Sequence, residues 1–90
     1  MPSRSPQDGE LHSALGKAIR ELRERQGLTQ EELASRANLH GTDISSLEGG
    51  RRNPTLKALE RVSKGLGVAT SELLVLAEVL KKTSAPPRRP

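Results

Sequence analysis

Not one Phe, Tyr, Trp or Cys occurs among the 90 residues. Without aromatic rings the chain cannot build the platforms on which single-strand binders and RRM-type RNA readers stack bases. Without cysteine it has no disulfide, no thiolate nucleophile and no Cys-based zinc site. Its only histidines, His12 and His40, are too few and too isolated for a metal site. No apolar run approaches the roughly 20 residues of a membrane span. The start, Met1-Pro2-Ser3-Arg4, leads into no apolar stretch of the kind a signal peptide needs. Nucleophile–base sets and Walker-type loops are missing too, and Gly49-Gly50 reads as a helix stop, not a phosphate cradle. The expectation is a cytoplasmic protein that is not an enzyme and has no cofactor, metal or membrane partner.

What remains is aliphatic and basic. Fifteen Lys and Arg against eleven Asp and Glu give a formal charge of +4, which draws the chain towards polyanions. A chain of 90 residues suits one domain. Such a chain buries only about two thirds of its unfolded surface. The core must be Leu, Ile, Val and Ala, and these fall at helical spacing. Residues 1–8 and 83–90, rich in Pro, Ser and Arg, lack any apolar periodicity. They read as a flexible N-terminal tail and a flexible basic C-terminal tail around a domain at 9–82.

Five helical patterns fill that domain, so the predicted fold is all-α. Leu11, Leu15, Ala18, Ile19 and Leu22 form one stripe on a helix over about 10–25, with Asp8 as N-cap and Gly27 as stop. Thr29 with Glu32 three residues on is a capping box, opening a helix over Gln30–Ala37 that ends at Asn38. A short third helix over Thr42–Glu48 carries Ile44 and Leu47 and stops at Gly49-Gly50. Thr55 caps a fourth, with the stripe Leu56, Leu59, Val62 and Leu66, closed by Gly67. A fifth runs over about 70–82.

The second and third helices have the spacing of a helix-turn-helix. That geometry needs a small residue where the helices cross, a turn residue that accepts positive φ, and apolar residues on either side. Counting from Gln30, Ala34 is the small residue and Asn38 the turn residue, flanked by Leu33, Ala37, Leu39, Ile44 and Leu47.

The stretches Gly27-Leu28-Thr29-Gln30-Glu31-Glu32-Leu33-Ala34, Ile44-Ser45-Ser46-Leu47-Glu48-Gly49-Gly50 and Arg52-Asn53-Pro54-Thr55-Leu56 closely resemble the Xre family of phage repressor and Cro-like helix-turn-helix proteins. The resemblance spans about Leu15 to Leu74. It implies a five-helix, lambda-repressor-like fold, usually dimeric, that binds double-stranded DNA and regulates transcription. Gln30, with Thr29 beside it, then faces a backbone phosphate at a helix N-terminus. By family position Thr42, Asp43 and Ser46 are the candidates for base edges. Asp43 has an alternative reading as a local cap or salt link. The short third helix holds no Arg or Gln, so the strong bidentate pairs to guanine and adenine are missing from it. Arg51, Arg52, Asn53 and Lys57 are the further phosphate candidates. The resemblance also pairs Arg23 with Glu48 as a structural salt bridge.

Residues 73–80 read Leu-Leu-Val-Leu-Ala-Glu-Val-Leu. Leu73, Leu76, Ala77 and Leu80 can cover the domain's own core, which leaves Leu74, Val75 and Val79 as a homodimer face. A two-fold pair through this helix sets two recognition helices about 34 Å apart, one turn of DNA. Two other readings stay open: an antitoxin of similar fold with a toxin partner, and a helical protein–protein adaptor using the fifth helix.

Overall fold

The computed structural model of the chain describes residues 7–84. Five α-helices and no strands occur among them: α1 (Gln7–Arg25), α2 (Gln30–Ala37), α3 (Gly41–Glu48), α4 (Leu56–Leu66) and α5 (Thr70–Ser84). α1 lies along α5 and also touches α3, while α2 is gripped between α3 and α4. The core sits at the junction of all five and is aliphatic apart from the buried Ser63, whose hydroxyl donates to the Leu59 carbonyl. Ile19, Leu33, Ile44, Val62, Leu73, Ala18 and Ala77 are completely buried. No described helix is long and apolar enough to cross a membrane.

Local chemistry fixes most of the boundaries. The Thr29 hydroxyl accepts from the Glu32 N–H at 3.0 Å, and the Glu32 carboxylate accepts from the Thr29 N–H at 2.8 Å. Two of the N–H groups that a helix start leaves unsatisfied are thereby bonded. α2 ends because Asn38 is left-handed (φ 59°, ψ 45°), with the Leu39 N–H closing onto the Ala34 carbonyl at 2.8 Å. Thr55 caps α4 through the Ala58 N–H at 3.0 Å. Gly67 then closes that helix at φ +74°. Removing one such cap, Thr29→Ala, is expected to cost about 1 kcal/mol. In a domain of this size that lowers the melting temperature by about 4–8 °C, and a scan showing no shift would count against the cap.

Several expectations need correction. α1 begins at Gln7, so Asp8 lies inside its first turn and is not the N-cap. An acid is stabilised anywhere in a first turn by the exposed N–H groups, so its presence locates the start only loosely. α5 runs on to Ser84, two residues past the expected end. Gln7, Asp8, Thr83 and Ser84 are therefore helical and not tail; the rest of the two expected tails lies outside the described residues. Leu56 is 71% exposed, not part of the buried α4 stripe. It is the first residue of the helix, at the rim, and the buried face is completed by Ser63 and Gly65 instead. Leu74 is half-buried and packs against the core, lining a groove with Leu11, Leu15 and Leu59. One step along a helix turns the side chain by about 100°, which carries Leu74 from the buried Leu73 face into that groove.

Two glycines that sequence periodicity passed over set helix spacing. At Gly65 a Cβ would stand 3.1 Å from Leu33 Cδ1 and 3.2 Å from the Ala37 nitrogen, so α4 rests directly on α2. At Gly16 the α1 backbone meets the last carbonyls of α3, closer than any side chain permits.

Candidate nucleic-acid interface

Three residues, Asn38 to His40, separate α2 from α3. α3 starts with the Asp43 carboxylate accepting from the His40 N–H at 3.0 Å. Its inward residues Ile44 and Leu47 are buried, while Thr42 is exposed and Ser45 and Ser46 are half-exposed. A shallow groove between the two helix starts is lined by Gln30, Glu31, His40, Gly41, Thr42 and Ser45. Gly41 keeps it narrow: a Cβ there would lie 3.2 Å from Glu31 Cγ.

Behind α3 stands a polar clamp. Arg23 Nε donates to Glu48 Oε2 at 2.6 Å and Arg23 Nη2 to Glu48 Oε1 at 3.1 Å. Nη1 of the same guanidinium donates to the Leu28 carbonyl at 2.7 Å, just before α2. Gln30 Nε2 completes the set with a 3.0 Å bond to Glu48 Oε1. The side chains of Arg23 and Glu48 are 11% and 5% exposed. The hydrogen bonds that Arg23 donates to Glu48 raise its pKa against the opposing effect of burial, so the cation is secure. One carboxylate thus ties the end of the third helix to both preceding helices. Gln30 is held against α3 at the N-terminus of α2, where the first N–H groups favour an anion.

The loop after α3 is arranged unevenly. Arg51 folds back over Gly49, with Nη2 3.4 Å from the Ser45 carbonyl at the end of the helix. Arg52 instead pairs with Asp43, in the first turn of α3. The carboxyl of Asp43 is held below the ordinary carboxylate range, first by the His40 N–H and then by Arg52. Both local readings of Asp43, cap and salt link, are therefore seen together. Asn53 turns towards α1, its Oδ1 3.0 Å from His12 Nε2. Lys57, in the first turn of α4, lines a shallow groove with Arg61, Lys64, Val68 and Thr70 that reaches the start of α5. On α5, Val75 and Val79 are 61% and 51% exposed. No group of three or more His, Cys, Asp or Glu that could hold a metal occurs among the described residues.

Gln26 is a structural residue that sequence reasoning missed. Its Nε2 donates to the Leu66 carbonyl at 2.7 Å, tying the end of α1 to the end of α4. In the sequence it looks like one more polar residue before a glycine stop.

Two short helices crossing through a three-residue turn, the second clamped from behind and presented outward, define a helix-turn-helix DNA-binding domain. The chain belongs to the helix-turn-helix family, whose domain profile matches residues 14–76, and within it to the Xre/Cro-like type. An uncharacterized HTH-type transcriptional regulator, y4dJ, of Sinorhizobium fredii is 40% identical to it over 65 residues, 72% of this chain and 84% of that protein. The control protein C.BamHI of Bacillus amyloliquefaciens is 42% identical over 60 residues, 66% of this chain and 74% of that protein. Among solved structures, the clp gene regulator ClgR of Corynebacterium glutamicum superposes with a TM-score of 0.77 at 32% identity, covering 81% of this chain and 78% of the other.

Proposed function

We propose that this helix-turn-helix protein regulates transcription in the cytoplasm as a homodimer on an inverted-repeat operator. Each copy sets α3 in the major groove with Thr42 and Ser46 towards base edges. The observation that carries the reading is the clamp of Arg23, Gln30 and Glu48, which braces α3 from behind and leaves its polar side open. Gln30 and Thr29 meet one phosphate at the start of α2. The Thr29 oxygen already accepts a bond within its cap but its O–H is still a donor. Arg51 and the backbone of the loop after α3 meet another. The regulators and the control protein similar to this chain support the same role.

The dimer face is the outer side of α5, where Val75 and Val79 leave aliphatic surface in water. A two-fold interface sets each residue near its own copy or a fixed partner. Val75→Glu therefore places two desolvated carboxylates in the interface, and sedimentation equilibrium is expected to show monomer where the unaltered chain is a dimer. Persistence of the dimer moves the interface elsewhere.

Binding itself is tested by selection from random duplexes at several salt concentrations. The expected product is a two-fold symmetric motif with half-sites about 34–36 Å apart. Affinity should fall with salt at a log–log slope of about −0.9 per phosphate contacted. Salt-independent retention, or no retained duplex, refutes the proposal and leaves the adaptor reading.

A further inference from the structure

Direct readout in the major groove is strongest when a planar donor fork meets guanine O6 and N7. α3, Gly41-Thr42-Asp43-Ile44-Ser45-Ser46-Leu47-Glu48, contains no Arg, Lys, Asn or Gln to provide one. The fold nevertheless brings a guanidinium to that helix. Arg52, four residues past its end, reaches back so that Nη1 bonds Asp43 Oδ1 in the first turn. The other carboxylate oxygen of Asp43 is fixed by the His40 N–H. The acid is thus anchored to the backbone on one side and holds the arginine on the other. Arg51 has no such placement, because it lies over Gly49 at the opposite end of the helix.

Stability does not account for this link. Arg52 is 48% exposed and Asp43 20% exposed, and surface pairs of this kind contribute little. Aimed alone at DNA, the Asp43 carboxylate would repel phosphates, whereas paired with Arg52 it carries no net charge to the groove. Arginine has five N–H donors in its fork, so one bond to Asp43 leaves others for a base edge. The carboxyl stays ionised at neutral pH, since its two partners lower its pKa.

We propose that Asp43 is a positioning residue and not a base reader: it holds Arg52 over the first turn of α3, where the guanidinium reads a guanine in each half-site. This rests on the DNA-binding reading above and replaces the expectation that Asp43 itself contacts a base and that Arg52 contacts only phosphate.

The test uses the full chain, selection from random duplexes and a parallel melting curve for each variant. Arg52→Ala is expected to flatten one guanine preference per half-site, a discrimination of roughly 5- to 150-fold. Asp43→Asn keeps an oxygen to accept the His40 N–H but loses the ionic hold, so the same position should flatten while the melting temperature stays near that of the parent. Asp43→Glu, which also suits this position of a capping box, should restore part of the preference. Arg52→Lys should not, because a point charge cannot make the fork. The proposal is overturned if Asp43→Asn tightens binding to all duplexes alike with base preferences unchanged, the mark of simple repulsion. It is equally overturned if Arg52→Ala only reduces the salt slope by about one contact, the mark of a phosphate ligand. Either of those results leaves the DNA-binding reading standing; absence of any duplex binding by the parent chain removes both.

Discussion

Arg23→Ala is expected to lower the melting temperature by at least about 12 °C, the largest effect of any single truncation outside the aliphatic core. The reasoning starts from burial. Removing one member of a buried ion pair costs about 3–5 kcal/mol, because the remaining charge stays out of water with no partner. Each kcal/mol shifts the midpoint by about 4–8 °C in a domain of this size. Here the orphan is Glu48, with a 5% exposed side chain, and Gln30 alone cannot neutralise it. The Leu28 carbonyl also loses its bond from Nη1. Three separate contacts therefore fail together. The double variant Arg23→Ala with Glu48→Ala should be less destabilised than the two single costs summed, since no charge is then stranded. Thermal unfolding followed by far-UV circular dichroism reads both quantities. A single-variant shift of less than about 4 °C, the equivalent of at most 1 kcal/mol, would refute the role of the clamp.

Function is tied to the same clamp. Glu48 is the last residue of α3, and Gln30 begins α2 at the expected phosphate site. Loosening Glu48 frees the recognition helix to tilt and frees Gln30 to leave the backbone it should face. One carboxylate fixes both the proposed base-reading element and the proposed phosphate-reading element, so stability and DNA affinity should fall together along an Arg23 or Glu48 series.

How much of this was legible in the sequence follows from how far apart the interacting residues lie. The bounds of α2 matched the sequence reading and those of α3 came within one residue, because their signals are local. Thr29 answers to Glu32 three residues away, Asn38 takes a conformation few residues tolerate, and Gly49-Gly50 stops the helix by itself. The pairing of Arg23 with Glu48 spans 25 positions, and only resemblance to a family suggested it. Leu56 and Leu74 were misplaced because periodicity gives the direction of a side chain but not what stands opposite. Leu56 points beyond the rim of the bundle, and Leu74 points into a groove completed by Leu11, Leu15 and Leu59. A salt link at Asp43 was readable only as one option and without its partner Arg52, since nothing in the order of residues says that the loop folds back over the first turn of α3.

Gly16→Ala is the second large effect, and its sign opposes the usual preference. In the middle of a helix, alanine is favoured over glycine by about 1 kcal/mol, so a reading of α1 alone predicts stabilisation. The packing decides otherwise. A Cβ at Gly16 would stand 2.6 Å from the Glu48 carbonyl oxygen and closer still to that of Leu47, both backbone atoms at the end of α3. Neither can rotate away as a side chain could, so α1 and α3 must separate. Overpacking of this kind costs typically about 1–3 kcal/mol. Here the displaced residue is also Glu48, so the Arg23 and Gln30 bonds at 2.6–3.1 Å are stretched at the same time. Net destabilisation of about 1–3 kcal/mol is expected, with a weaker operator affinity at temperatures where the variant is still folded, because α3 is pushed out of its seat. Gly16→Val, which adds bulk and disfavours the helix as well, should be worse than Gly16→Ala. A control at an exposed helical site such as Ser35→Ala should leave both properties nearly unchanged. If Gly16→Ala instead melts higher than the parent chain, the contact between α1 and the end of α3 is looser than described, and the third helix is seated by the clamp and by its buried Ile44 and Leu47.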